Sequence, residues 1–134
     1  MIGGVVIVLV GTALAARCVR RVVVEGDSMA PTLLAGDRLV VLARPWGTPA
    51  RPAVGEIVAV CDPRRADRVL VKRVASLERP DGTLVLLGDS PDASTDSREF
   101  GAVPLASVLG RVVHRYGPPG RSGPVGRPTE YDRA

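Results

Sequence analysis

This sequence predicts a mainly β domain set behind one apolar N-terminal helix. Three observations carry the prediction. Short runs rich in Val, Leu and Ile recur from Val22 to Tyr116, divided by Gly, Pro and Asp. A continuous apolar stretch, Ile2–Ala16, precedes them and is ended by Arg17, Arg20 and Arg21. A length of 134 residues allows one small domain with appendages.

The elements follow in order. Ile2–Ala16 is short of the roughly 17–25 residues usual for a membrane span. Snorkelling of Arg17 and inclusion of Cys18 and Val19 extend it, so residues 1–21 are expected to form a membrane anchor. The rival is a cleavable signal peptide, because Ala13-Leu14-Ala15 fits a small-x-small cleavage pattern. Against that rival, no basic residue precedes the apolar run. The arginines behind the run predict that the domain stays on the cytoplasmic side.

Strands are expected over Val22–Glu25, Arg38–Leu42, Gly55–Cys61, Arg68–Ala75, Thr83–Leu87 and Leu109–Arg115. Pro80-Asp81-Gly82 is a tight-turn signal joining the fourth and fifth as a hairpin. Pro45–Pro52 is a loop carrying the only tryptophan, Trp46. Gly117–Ala134 is rich in Pro, Gly and Arg, has little to bury, and is expected to be disordered. The division is therefore 1–21 anchor, 22–116 folded domain and 117–134 tail.

Composition excludes some functions. Hydrophobic residues make up 46%, enough for a core, yet aromatics are 3%, so the core must be Val, Leu, Ile and Ala. That leaves no stacking platform for single-stranded nucleic acid, and no recognition-helix pattern is present. The net charge of +4 sits largely beside the apolar segment and in the tail, which suits solvated surface and anionic lipid headgroups. Cys18, Cys61 and His114 have no metal-ligand spacing, so neither metal nor cofactor is expected.

Three segments carry chemistry. Ser28 follows the β-branched run Val22–Val24 on a turn punctuated by Gly26 and Pro31, where a hydroxyl can point out of the fold. Lys72 lies in Val69–Val74, where Leu70, Lys72 and Val74 share one face and Val71, Arg73 and Ala75 the other. Arginine stays charged wherever it is placed, whereas a desolvated lysine can lose its proton, so Lys72 is the better inward residue. A neutral amine there could take a proton from a serine hydroxyl. The plainer reading is an edge-strand lysine that blocks aggregation. The third segment, Gly88–Gly101, is a polar loop whose ligand order does not suit calcium. In it Asp96 and Arg98 can pair and stiffen the loop, presenting Ser94 toward the lysine.

Together these segments resemble the bacterial type I signal peptidases, membrane-bound serine endopeptidases with a Ser-Lys dyad. The resemblance spans about Val22–Val113. It rests on Ser28-Met29-Ala30-Pro31-Thr32-Leu33 followed by Gly36-Asp37, on Gly55-Glu56-Ile57-Val58, on Lys72-Arg73-Val74, and on Gly88-Asp89-Ser90 with Ser94 to Gly101. It implies Ser28 as nucleophile, Lys72 as general base, Ser94 as the group orienting the amine, and Asp96 and Arg98 as loop supports. Met29 would lie at the membrane-facing edge. The Ser28 N–H would serve the oxyanion; some members add a hydroxyl two residues earlier, where this chain has Gly26. Ser90 stands where the family usually has Asn, a change expected to be tolerated.

The resemblance implies a small, partly open, barrel-like catalytic domain on one transmembrane helix, cutting N-terminal signal or leader peptides from protein substrates through an acyl-enzyme. The short interval from Lys72 to Gly88 leaves only a minimal core. Small forms include proteases that mature nickel-type superoxide dismutase, a cytoplasmic role that fits the basic flank. Secretory processing instead places the domain outside the cytoplasm on a single-pass anchor. Two other readings are a self-cleaving repressor-type peptidase, which has no room for its DNA-binding domain before Val22, and a non-catalytic membrane-tethered β-module.

Overall fold

The computed structural model describes residues 19–43, 52–78 and 82–125. One open antiparallel sheet dominates it. Its strands are β1 (Val19–Val23), β2 (Arg38–Ala43), β3 (Ile57–Asp62), β4 (Arg65–Glu78), β5 (Thr83–Leu87), β6 (Val103–Pro104), β7 (Val108–Gly117) and β8 (Gly123–Pro124). The order is β1-β2-β7-β3-β4-β5-β6, with β8 pairing β7. Among the described residues the two ends, β1 and β6, do not pair with each other, so the sheet is open.

β3 explains how one sheet holds two cores. Its Ile57 and Ala59 pack with Val24, Met29, Leu33, Leu39, Val41 and Val112. Its alternate residues, Val58 and Val60, pack with Leu70, Val74, Leu84, Leu86, Val103 and Val108. A strand covered on both faces needs an unbroken apolar run, which Ile57–Val60 supplies. β7 joins the halves by pairing with β3 over Val108–Arg111 and with β2 over Gly110–Gly117.

Of the expected strands, Thr83–Leu87 is observed unchanged, and Arg38–Leu42, Arg68–Ala75 and Leu109–Arg115 are longer. Gly55–Cys61 begins later, at Ile57, and Val22–Glu25 is displaced to Val19–Val23. The short β6 and β8 were not expected. β4 and β5 pair from Glu78↔Thr83 inward, a hairpin arrangement, while turn residues 79–81 lie outside the described residues. Two boundaries need correction. β1 begins at Val19, so the folded part reaches into the stretch assigned to the anchor. Gly117–Val125, expected as the start of a disordered tail, is held in place. Gly123 pairs with Arg115, the Val125 N–H donates to the Val113 carbonyl at 3.0 Å, and Val125 packs on the first core. Composition concealed this, because the holding groups are one valine, backbone and one arginine.

Among the described residues no helix is long and apolar enough to cross a membrane. The expected anchor Ile2–Ala16, Cys18, Trp46 and residues 126–134 lie outside the described residues.

Candidate active site

The Ser28 turn runs from Gly26 to Asp37 between β1 and β2. It is held by local backbone bonds, Ala30 N–H to Asp27 O and Leu33 N–H to Met29 O, and closed where Gly36 N–H meets Val24 O. Gly26 has φ of +75°, a conformation that side chains resist. A hydroxyl-bearing residue at this position would be strained in this backbone conformation. Ser28 is half-buried, and its N–H has no hydrogen-bond partner among the described residues. Met29 is buried in the first core, where it fixes the turn, and it also lines the cavity beside Ser28.

Lys72 lies on the inward face of β4 with Leu70 and Val74, and is 3% exposed. Its cross-strand neighbour on β3 is Val58. Burial pushes the amine below the ordinary lysine value, Asp96 works the other way, and Arg68, Arg64 and Arg98 add to the lowering. The Lys72 Nζ donates to Ser94 Oγ at 3.1 Å.

Ser94 and Asp96 come from the loop after β5. Ser94 Oγ donates to Asp96 Oδ2 at 2.8 Å. Asp96, fully buried, also accepts from the Gly88 N–H at 2.9 Å and from Arg98 Nε and Nη2 at 2.9 and 2.7 Å. The Arg98 fork above all holds this carboxyl well below the usual carboxylate range, against the opposing effect of burial. Asp96 also caps the short helix α1 (Ser97–Phe100) by accepting from the Arg98 N–H.

The loop closes directly on the Ser28 turn. The Ser90 N–H donates to the Ser28 carbonyl at 2.9 Å. That contact uses backbone only, so the side chain at residue 90 is free to vary. Gly88 lies beneath it: a Cβ there would come within 2.5 Å of Ser94 Cβ and 2.6 Å of the Ser28 carbonyl oxygen.

Ser28 and Lys72 line one cavity of about 460 Å³. Val22–Gly26 borders one side and Arg64 with Asp67–Lys72 the other. Ser28 and Lys72 are not hydrogen-bonded to each other in this structure. Among the described residues, no cluster of three His, Cys, Asp or Glu side chains is placed to hold a metal.

Sequence reasoning missed a second set of residues. Arg73, on the outward face of β4, donates from Nε and Nη2 to Asp89 at 2.8 Å each, and from Nη1 to the Gly55 carbonyl. Asp89 also accepts from Thr32 Oγ1 at 2.7 Å, tying the Ser28 turn to β4. Burial would raise the Asp89 pKa, but Arg73 and Thr32 outweigh it and hold it low. Asp37 accepts from Leu34 N–H, Arg115 and Arg121. The Gly36-Asp37 and Lys72-Arg73 pairs were visible in sequence, but their partners were not.

The comparisons with known proteins agree with this arrangement. A family model described as "Signal peptidase, peptidase S26" matches residues 2–79 and 77–117. The mitochondrial ATP-independent inner membrane protease subunit 1a of Arabidopsis thaliana is 34% identical over 119 residues, covering 72% of this chain and 69% of that protein. The mitochondrial inner membrane protease subunit 2 of Danio rerio is 34% identical over 117 residues, covering 73% and 64%. A probable signal peptidase I-1 of Synechocystis is 26% identical over 145 residues, covering 77% and 74%.

Proposed function

Because the chain belongs to the peptidase S26 signal peptidase family, and is thereby a serine-type endopeptidase, we propose that it removes N-terminal leader segments through a Ser28–Lys72 dyad. The observation that carries this reading is the position of Lys72: an amine buried among aliphatics, bonded to Ser94, in the cavity that Ser28 also lines.

The chemistry follows from the donors and acceptors. The neutral Lys72 amine takes the proton as Ser28 Oγ attacks the scissile carbonyl carbon. The new oxyanion is received by the unpartnered Ser28 N–H. Collapse breaks the C–N bond, and the Lys72 ammonium returns its proton to the leaving amine. Water then attacks the Ser28 ester, with Lys72 again as base, and releases the carboxylate product. Ser94 donates to Asp96, so its lone pairs are what face Lys72. One amine N–H is thereby held on Ser94, which leaves the nitrogen lone pair to serve the cavity side.

An extended substrate suits the cleft because consecutive residues line both sides, Val22–Gly26 and Asp67–Lys72. Backbone groups there can pair with a peptide strand. Relatives named as inner membrane proteases support membrane association, and Ile2–Ala16 is the segment proposed to anchor the chain.

Ser28→Ala and Lys72→Ala should each abolish leader-peptide cleavage while melting as the parent does. Turnover surviving in purified Lys72→Ala would dispose of the dyad. Protease digestion of sealed vesicles places the domain: digestion from outside intact cells indicates secretory processing. Protection indicates a cytoplasmic maturation role, such as leader removal from a nickel-type superoxide dismutase.

A further inference from the structure

We propose that Pro118–Val125, which lies beyond the family match ending at residue 117, is a clamp on the nucleophile-bearing turn, with Arg121 as its positioning residue. The inference rests on Ser28 being the nucleophile, as proposed above.

The anchor point is Asp37, the last residue of the Ser28 turn and 1% exposed. A buried carboxylate with no partner is costly, so whatever neutralises it also decides where it sits. Arg121 supplies a two-pronged bond, Nε to Oδ1 at 3.0 Å and Nη2 to Oδ2 at 3.0 Å. Asp37 Oδ2 also accepts from the Leu34 N–H at 2.9 Å, so the same carboxylate folds the end of the turn. Arg121 is the leading influence holding the Asp37 carboxyl at about 2.

The segment acts a second time through its backbone. Arg115 donates from Nη1 to Asp37 and to the Thr32 carbonyl, both within the turn, at 3.1 and 3.0 Å. Its Nε is held by the Arg121 carbonyl. Removing the segment would therefore strip Arg121 from Asp37 and release Arg115 as well. Val125 completes the hold by packing against the core that contains Met29 and Leu33. The opposite side of the turn is tied through Thr32 to Asp89. The stretch Thr32–Asp37, which follows Ser28 in the turn, is thus held by two charged anchors, one of which comes from outside the matched family region.

The test compares the full chain with Arg121→Ala and Arg121→Lys. Amide hydrogen exchange reads the turn at Leu33, Leu34, Gly36 and Asp37, with Val58–Val60 of β3 as the internal control. Kinetics on a leader peptide are measured where both variants are fully folded. In Arg121→Ala, exchange in the turn should accelerate about tenfold or more with β3 unchanged. kcat should fall roughly ten- to hundredfold with KM within about twofold, because the nucleophile is displaced and binding is not. Arg121→Lys keeps the charge but loses the fork, so both effects should be intermediate. It carries the test if the alanine variant does not fold. Parent-like exchange in the turn of either folded variant overturns the clamp. So does equal acceleration in β3, which would mean general loss of stability. Should the parent chain itself fail to cleave, the dyad falls, while the exchange experiment still decides the clamp.

Discussion

Lys72 Nζ and Ser94 Oγ lie 3.1 Å apart, both buried, with the amine as donor. The direction is forced from behind. Asp96 is held ionised by Arg98 and has no proton to give, so Ser94 must donate to it and accept from Lys72.

Ser94→Ala should therefore leave a buried N–H without its acceptor and free the amine to rotate. kcat is expected to fall roughly ten- to hundredfold with little change in KM. Steady-state kinetics on a leader peptide check this, and a parent-like kcat would mean that Ser94 does not orient the amine.

Activity should rise with pH when chemistry limits the rate, since only the neutral amine accepts a proton. Burial places the midpoint below the ordinary 10.5 of lysine. Asp96 opposes that lowering, so Asp96→Asn should move the midpoint to lower pH, whatever it costs in kcat. The linkage has a sign. Between the lowered folded value and 10.5 the unfolded chain binds more protons at this site, so Lys72's contribution to stability rises with pH across that window. Lys72→Met should remove that slope, as read by urea midpoints against pH.

Asp37 and Asp96 predict the acid limb. Their folded pKa values lie below the ordinary 3.8, with Asp37 at about 2. Their contribution is present above 3.8 and is lost as pH falls toward and through the folded values. Denaturant midpoints should therefore hold above about pH 5 and drop below it. Asp37→Ala, which strands two arginines, should cost about 3 kcal/mol and flatten part of that drop. An unchanged acid limb in this variant would remove Asp37 from the account.

Gly88→Ala tests the closeness of loop and turn. The added methyl would have to displace Ser94 or the Ser28 carbonyl. The expected cost is about 1–3 kcal/mol of stability, with kcat falling more than stability explains. A parent-like kcat would show that the site tolerates separation.

Gly26→Ser asks whether a side-chain oxyanion donor can be restored. At φ of +75° the substitution should cost about 1–2 kcal/mol and give no rise in kcat. An increase in kcat would show that the turn can relax to present the hydroxyl.

Much of the scaffold was legible in sequence, because strand runs and turns are local patterns. β5 was expected at Thr83–Leu87 and is observed there, since its apolar run is cleanly bounded on both sides. The inward face of Lys72 followed from alternation with Leu70 and Val74. The ordered segment after Gly117 was not legible, because nothing in a Pro- and Gly-rich stretch signals that one arginine finds a buried carboxylate 84 residues away. Met29 lines the cavity, and its burial in one core with Leu33 and Val41 was not legible either, because that packing joins separate elements.

The amino-acid order alone determined the main strands, the turn marked by Gly26 and Pro31 around Ser28, and the lysine that must be buried if its strand is. These depend on a few neighbouring residues and on the twofold period of a strand. Register and topology decided the rest. They brought Ser28 and Lys72 to one cavity, set the proton direction from Lys72 through Ser94 to Asp96, and gave Asp37 its arginines. Such pairings join residues far apart in the chain, and their free energy exists only once the intervening strands have packed.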